Sequence, residues 1–126
     1  MRKTASTNYQ NQDFLQHCPL LFTLSLIGTR WKPYIIYKLK GKTLRFSELK
    51  QEIPAISERM LILSLKELER DGLVARKSYH VVPPRVEYTL SEEAKTLLPA
   101  IDHLYVCGEA ILKARPEIRS SAVQIR

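Results

Sequence analysis

The segment "SERMLILSLKELERDG", residues 57 to 72, constrains this chain more than any other. At about 100° per residue, Leu61, Leu65 and Leu68 fall on one line of a helix, so one face must be buried. Arg59, Lys66 and Arg70 fall within about 40° of one another on the opposite line, so three cations share the outward face. Ser57 stands where a hydroxyl can accept from an orphan amide, and Gly72 where a left-handed residue stops a helix. A basic amphipathic helix can also be an ordinary solvated one. Its neighbours narrow the choice.

Upstream, "SELKQEI" reads as a short helix capped by Ser47 and stopped by Pro54, after a brief extended link, "KTLRF". Downstream, "SYHVVPPRVEYTL" (residues 78 to 90) is strand-like on both sides of two prolines. Tyr79, Val81 and Val82 lead in, and Val86, Tyr88 and Leu90 alternate on the way out. Pro83 and Pro84 cannot donate to a ladder, which puts them at a tip or an edge. Two strands are weak alone, so the hairpin must pack at its base. Its edges carry Lys77, His80 and Arg85. A short helix, a Pro-containing turn, a cationic helix and a basic hairpin follow one another in the order of a winged helix-turn-helix. The expected fold class is therefore mainly α with a small β-hairpin. The projecting wing would reach phosphate or a minor groove.

The charge supports a polyanionic partner. The net charge of +7 is concentrated between Arg30 and Glu87, where 13 Lys/Arg face 7 Asp/Glu. A local basic field of that kind suits nucleic acid. At 126 residues the chain can bury one modest core but not two ordinary ones. The apolar stretch around Pro19 to Ile27 is too short to cross a bilayer, which predicts no membrane partner. It also lacks a secretory cleavage pattern. Two cysteines make no disulfide framework, so a reducing cytoplasm is expected.

Three further helical regions frame the reading head. "CPLLFTLSLIGTR" reads as a helix with Pro19 in its first position and Gly28 at its end. "WKPYIIYKLKG" places Trp31, Tyr34, Ile35 and Leu39 on one face, with Pro33 tolerable in the first turn. After the hairpin, Ser91 caps a long region with Glu92 and Glu93 in its first turn, where the dipole favours acids. Pro99 bends or restarts it. Ala94, Leu97, Leu98, Ile101, Leu104, Tyr105, Ile111 and Leu112 give it more apolar surface than one small domain buries. Pairing with a second copy, aided by the first helix, is the expected use of that surface.

The order of several motifs resembles a known family. The "CP" opening, "IGTRWK", "LRFSEL", "IPAISERML", "LKELERDGLV" and "VPPRVEYTL" together resemble the HxlR-type winged helix transcriptional regulators, relatives of the MarR group. The resemblance runs from about Cys18 through Gly108. It implies a cytoplasmic, homodimeric regulator that binds double-stranded DNA without catalytic activity and with no cofactor, its N- and C-terminal helices forming the dimer interface. The implied organisation is a polar leader at 1–17, the winged domain with its dimerisation helices at 18–115, and a tail at 116–126. By the same resemblance "ISERML" enters the groove, so Ser57, Arg59 and Lys66 are base-edge or phosphate candidates, and Lys50 is a phosphate contact. Arg59 stands out, since Arg can hold guanine in two places. Lys77, His80 and Arg85 are the wing candidates. The chain departs from the family pattern at Thr29, where a second glycine is commoner, and at Pro33, where an aliphatic residue is commoner.

The signal sensed would come from the cysteines or from a small-molecule inducer. Cys18 precedes Pro19 at the amino end of a helix, where unpaired amides favour a thiolate. Some members resembling this chain sense oxidants or electrophiles from that place. Cys107 is a candidate disulfide partner from the other subunit. His103 and Cys107, four apart, offer a weaker alternative as two metal ligands on one helical face, with His17 and Cys18 as further ligands. A winged helix used as a protein-interaction module is the other alternative. No Ser/His/Asp order, glycine-rich phosphate loop or paired-carboxylate pocket points to an enzyme.

Overall fold

Residues 17–121 are described by the computed structural model. All of the leader but His17, and the tail beyond 121, therefore lie outside the described residues. The elements in order are α1 (Pro19–Leu26), α2 (Trp31–Lys38), β1 (Leu44–Arg45), α3 (Phe46–Glu52), α4 (Glu58–Arg70), β2 (Val74–Tyr79), β3 (Arg85–Leu90), α5 (Glu92–Lys95), α6 (Leu98–Ala114) and α7 (Pro116–Ser121). The chain divides at Arg30, with α1 in the first unit and the later elements in the second.

In the first unit, Pro19 begins α1 and Cys18 is its N-cap. The Cys18 carbonyl accepts from the Phe22 amide at 2.9 Å. The Thr23 hydroxyl donates to the Pro19 carbonyl at 2.8 Å and that of Ser25 to the Phe22 carbonyl at 2.6 Å. Past the C-cap Ile27, a Cβ on Gly28 would come within 2.6 Å of the Leu24 carbonyl oxygen. Close approach to that oxygen, rather than a left-handed backbone, is what requires glycine there.

The second unit is built around α4. Its Leu61, Leu65 and Leu68 are buried, together with Ile35 and Ile36 of α2, Leu49 of α3 and the flanking Ile53 and Ile56. The Ser57 hydroxyl accepts from the Met60 amide at 3.1 Å, which starts α4. At the other end Gly72 adopts φ 76°, and the Leu73 and Gly72 amides donate to Leu68 and Glu69 carbonyls at 2.9 and 3.1 Å. That pattern is a Schellman stop, and it turns the chain straight into β2.

The expected two-stranded hairpin is a three-stranded antiparallel sheet in the order β1-β3-β2. The "KTLRF" link supplies the third strand, with Leu44 opposite Tyr88 and Arg45 opposite Glu87. This pairing moves the start of α3. The helix begins at Phe46 with Arg45 as N-cap, and the Arg45 amide donates to Glu48 Oε1 at 2.8 Å. Ser47 lies inside the first turn, so it is not the cap expected from its hydroxyl. The hairpin also starts earlier than the valines suggest. β2 pairs from Val74 opposite Leu90 to Tyr79 opposite Arg85, leaving Val81 and Val82 in the connecting turn. Both Val74 and Leu90 are buried, and it is this pair that anchors the register.

After β3 the Ser91 hydroxyl accepts from the Ala94 amide and donates to the Leu73 carbonyl, both at 3.2 Å. The long helical region breaks into α5 and α6, with Pro99 in the first turn of α6, where its missing N–H removes no hydrogen bond. The described part of the tail contains α7. Gly72→Ala, which forces a side chain into the left-handed region, should lower the unfolding free energy by about 1 kcal/mol in urea titration.

A candidate nucleic-acid interface

The burial of one side of α4 leaves Arg59, Lys66 and Arg70 exposed on the other. Among the described residues Arg59 and Lys66 pair with no acidic side chain, whereas Arg70 does. Its Nε and Nη2 donate to the two Asp71 carboxylate oxygens at 3.2 and 3.3 Å. Those hydrogen bonds, and the Asp71 charge itself, hold the Arg70 guanidinium above its ordinary pKa. The cationic line is therefore strongest near its amino end. Met60, Ile62 and Leu63 are exposed alongside it at 39%, 43% and 46%. Periodicity puts Ile62 and Leu63 beside the cations, and apolar groups there suit thymine methyls.

Ser57 is exposed at the amino end of α4, with its hydroxyl oxygen engaged in the cap. Lys50 of α3 is half-buried, and its Nζ donates to the Pro54 carbonyl at 3.3 Å, tying the helix to the turn before α4. A groove of about 320 Å³ beside α4 is lined by Ile62, Leu65, Lys66, Glu69, Arg76 and Tyr88. Arg76 was not among the residues expected from sequence. The alternation of β2 could have found it, because it shares a sheet face with the buried Val74.

The same alternation separates the wing cations from that groove. Lys77, Tyr79, Arg85 and Glu87 occupy one face of the β2–β3 pair, while Arg76, Tyr88 and the Val74–Leu90 pair occupy the other. On their own face, Lys77 Nζ lies 5.3 Å and the Arg85 guanidinium carbon 4.7 Å from the Tyr79 ring centroid. Arg85 Nε also lies 3.7 Å from Glu87 Oε2 and is a buried atom without a hydrogen-bond acceptor among the described residues. Contacts of this sort hold a long side chain in place. His80 is exposed in the connecting turn beside Val81 and Val82, the last of which is 99% exposed.

A second residue missed from sequence is Lys32. The face of α2 that faces the core carries Lys32, Ile35, Ile36 and Leu39, whereas Trp31 is half-buried and Tyr34 exposed. The face expected from Trp31, Tyr34, Ile35 and Leu39 is rotated accordingly. Lys32 Nζ meets Glu67 Oε1 of α4 at 2.6 Å, with side-chain exposures of 8% and 32%. Helix periodicity does not single out Lys32, because a buried lysine becomes visible only with its carboxylate in place.

The cysteines offer chemistry of a different kind. Cys18 is a half-buried free thiol and Cys107 an exposed one on α6. His103 is exposed on α6 as well. Among the described residues no group of three His, Cys, Asp or Glu side chains is placed to hold a metal. No described helix is long and apolar enough to cross a membrane.

Comparison with known proteins gives a consistent set of likenesses. A family model described as "HxlR-like helix-turn-helix" matches residues 26–116. The HTH-type transcriptional regulator YdeP of Bacillus subtilis is 45% identical over 102 residues, covering 81% of this chain and 79% of YdeP. An HTH-type transcriptional regulator of Halalkalibacterium halodurans is 52% identical over 95 residues, or 75% of this chain and 84% of its own. Among solved structures, the redox regulator HypR in its oxidized form matches with a TM-score of 0.70 at 45% identity, over 74% of this chain and 96% of HypR. The reduced form of the transcriptional regulator YodB from Bacillus subtilis matches with a TM-score of 0.63 at 37% identity, over 71% and 88%.

The α2–α4 tie has a measurable consequence. Glu67→Ala removes the carboxylate from a buried ammonium and should destabilise the chain by about 3 kcal/mol in urea titration, against about 0.5 kcal/mol for the exposed Glu69→Ala.

Proposed function

The chain belongs to the HxlR-like helix-turn-helix family of transcriptional regulators, and we propose from that premise that it binds specific DNA as a homodimer in the cytoplasm and performs no catalysis. The observation that carries this reading is the exposure of Arg59 and Lys66 on the side of α4 opposite its buried leucines. A helix anchored on one side and cationic on the other is suited to the major groove. In this reading Arg59 holds a guanine through two donors, while Ser57 and Lys66 meet base edges or phosphate. Lys50 supports a phosphate from the preceding helix. Lys77, His80 and Arg85 reach the backbone or minor groove beside the wing. The functional unit spans residues 18–115, with 1–17 a leader and 116–126 a tail.

The homodimer is supported by α6. Its Leu104, Tyr105, Val106 and Ile111 are 62%, 55%, 56% and 52% exposed, an apolar surface that a second copy would cover. Two-fold symmetry would then set two α4 helices about one DNA turn, roughly 34 Å, apart.

A response to oxidants or electrophiles through Cys18 is the second part of the proposal. Cys18 is the N-cap of α1, its side chain making no capping hydrogen bond. Similar structures include HypR, named a redox regulator and solved in oxidized and reduced forms, and YodB, solved reduced and diamide-treated. Oxidation would join two thiols as a disulfide with loss of two electrons and two protons to the oxidant. Cys107 of a second subunit is the candidate other thiol.

Salt-titrated gel shifts with the DNA upstream of the chain's own gene test the reading. Arg59→Ala should weaken specific binding by about 1–3 kcal/mol and relax one base position, with little change on random duplex. Lys50→Ala or Arg85→Ala should weaken both duplexes alike and reduce the salt slope by about 1. Equal losses on both duplexes for Arg59→Ala would remove its reading role. Diamide should lower operator affinity and consume the Cys18 thiol by mass, and Cys18→Ser should be insensitive. Unchanged affinity with Cys18 still free would dispose of the redox response.

A further inference from the structure

We propose that Ile62 and Leu63 are sequence-reading residues that take up thymine 5-methyl groups on the operator and reject G·C pairs. This inference rests on the DNA-binding reading and adds a base preference to it. Both side chains stand on the outward part of α4, 43% and 46% exposed, while Leu61, Leu65 and Leu68 already anchor the helix. At about 100° per residue, Leu63 lies roughly 40° to one side of Arg59 and Ile62 roughly 60° to the other. Lys66 falls between them, about 20° from Arg59. Two large aliphatic groups thus sit among the cations of a face that the core does not use.

Charge decides what covers them. The Arg59 and Lys66 cations have no carboxylate partner among the described residues. An apolar protein surface, a second copy included, would cover the aliphatic groups only by burying two unpaired charges. That cost exceeds the gain from two half-exposed aliphatic side chains. A duplex covers both kinds of group at once, with phosphates and guanine edges for the cations and methyl groups for the apolar pair. Ile62 also lines the groove of about 320 Å³ that it shares with Lys66, Arg76 and Tyr88, where a methyl is enclosed from more than one side.

The choice of base follows from what these side chains lack. Neither carries a hydrogen-bonding atom, and of the four bases only thymine presents a methyl in the major groove. Against a G·C pair the same groups would strip water from the cytosine N4 donor or the guanine O6 acceptor and put nothing in its place. Discrimination therefore has two parts, a gain at thymine and a penalty at G·C. Helix rise places it along the operator. From Arg59 to Leu63 the helix advances about 6 Å, the height of about two base pairs. The thymines are therefore expected within about two base pairs of the guanine that Arg59 holds.

Uracil substitution tests the assignment, because deoxyuridine pairs as thymidine does and lacks only the 5-methyl group. Gel shifts would use the full chain and the operator mapped upstream of its own gene, with each thymine replaced in turn. One or two replacements per half-site should weaken binding about three- to fivefold, the scale of one buried methyl. They should cluster beside the position that Arg59→Ala relaxes. In Leu63→Ala or Ile62→Ala, thymine and uracil at the matching position should bind equally. The salt slope of each variant should equal that of the native chain, because no phosphate contact is lost. Alanine favours helix and both side chains are exposed, so each variant should unfold at nearly the native urea concentration.

Specific binding that is indifferent to every thymine methyl would overturn the proposal and leave the DNA reading standing. A uracil penalty undiminished in both variants would overturn it too, as would a salt slope that falls with either substitution. Failure to bind any specific duplex would overturn the DNA reading and this inference with it.

Discussion

Burial of Leu61, Leu65 and Leu68 sets the rotation of α4 about its own axis, and the other features of the second unit are referred to that rotation. Three leucines along one line contribute several kcal/mol of apolar burial, far more than any single surface charge. The cations are therefore outward because the leucines are inward. Lys32 reinforces the placement by bonding Glu67 from the α2 side, where a slip of α4 would break a short ion pair. The Ser57 cap and the Gly72 stop then limit the helix at its two ends.

The wing is attached to this helix by a turn with no slack. Gly72 and Leu73 complete the stop of α4 and β2 begins at Val74. Because the buried Val74–Leu90 pair sets the register, alternation sends Arg76 toward the groove beside α4 and Lys77 to the opposite face. The basic residues of the hairpin thus form two groups rather than one. Arg76 works beside Lys66, whereas Lys77 and Arg85 are arranged about Tyr79.

Much of the fold was legible because its signals are local. The leucine spacing, the Ser57 hydroxyl, the Gly72 conformation and the restart at Pro99 each depend on a few adjacent residues, and each is present. The misreadings share a different origin. Ser47 lost its capping role because Leu44 and Arg45 pair with β3, a partner more than forty residues away by their numbers, which starts the helix at Phe46. Val81 and Val82 have strand-forming side chains, yet the register set by Val74 and Leu90 leaves them in the turn. The DNA candidates are divided in the same way. The α4 residues follow from helix periodicity, whereas Arg76 needed the hairpin register.

Sequence alone determined the amphipathic character of residues 57 to 72, the basic middle of the chain and the order of helix, turn, helix and hairpin, because these rest on side-chain chemistry and on spacing within one or two turns. Only the tertiary structure decided which lysine of α2 is buried against Glu67, which face of the hairpin each cation takes, and that three tyrosines from α2 and α6 stack around one cavity. Each of these joins residues far apart along the chain. Such contacts form when packing closes the loops between them, and no local propensity encodes that closure.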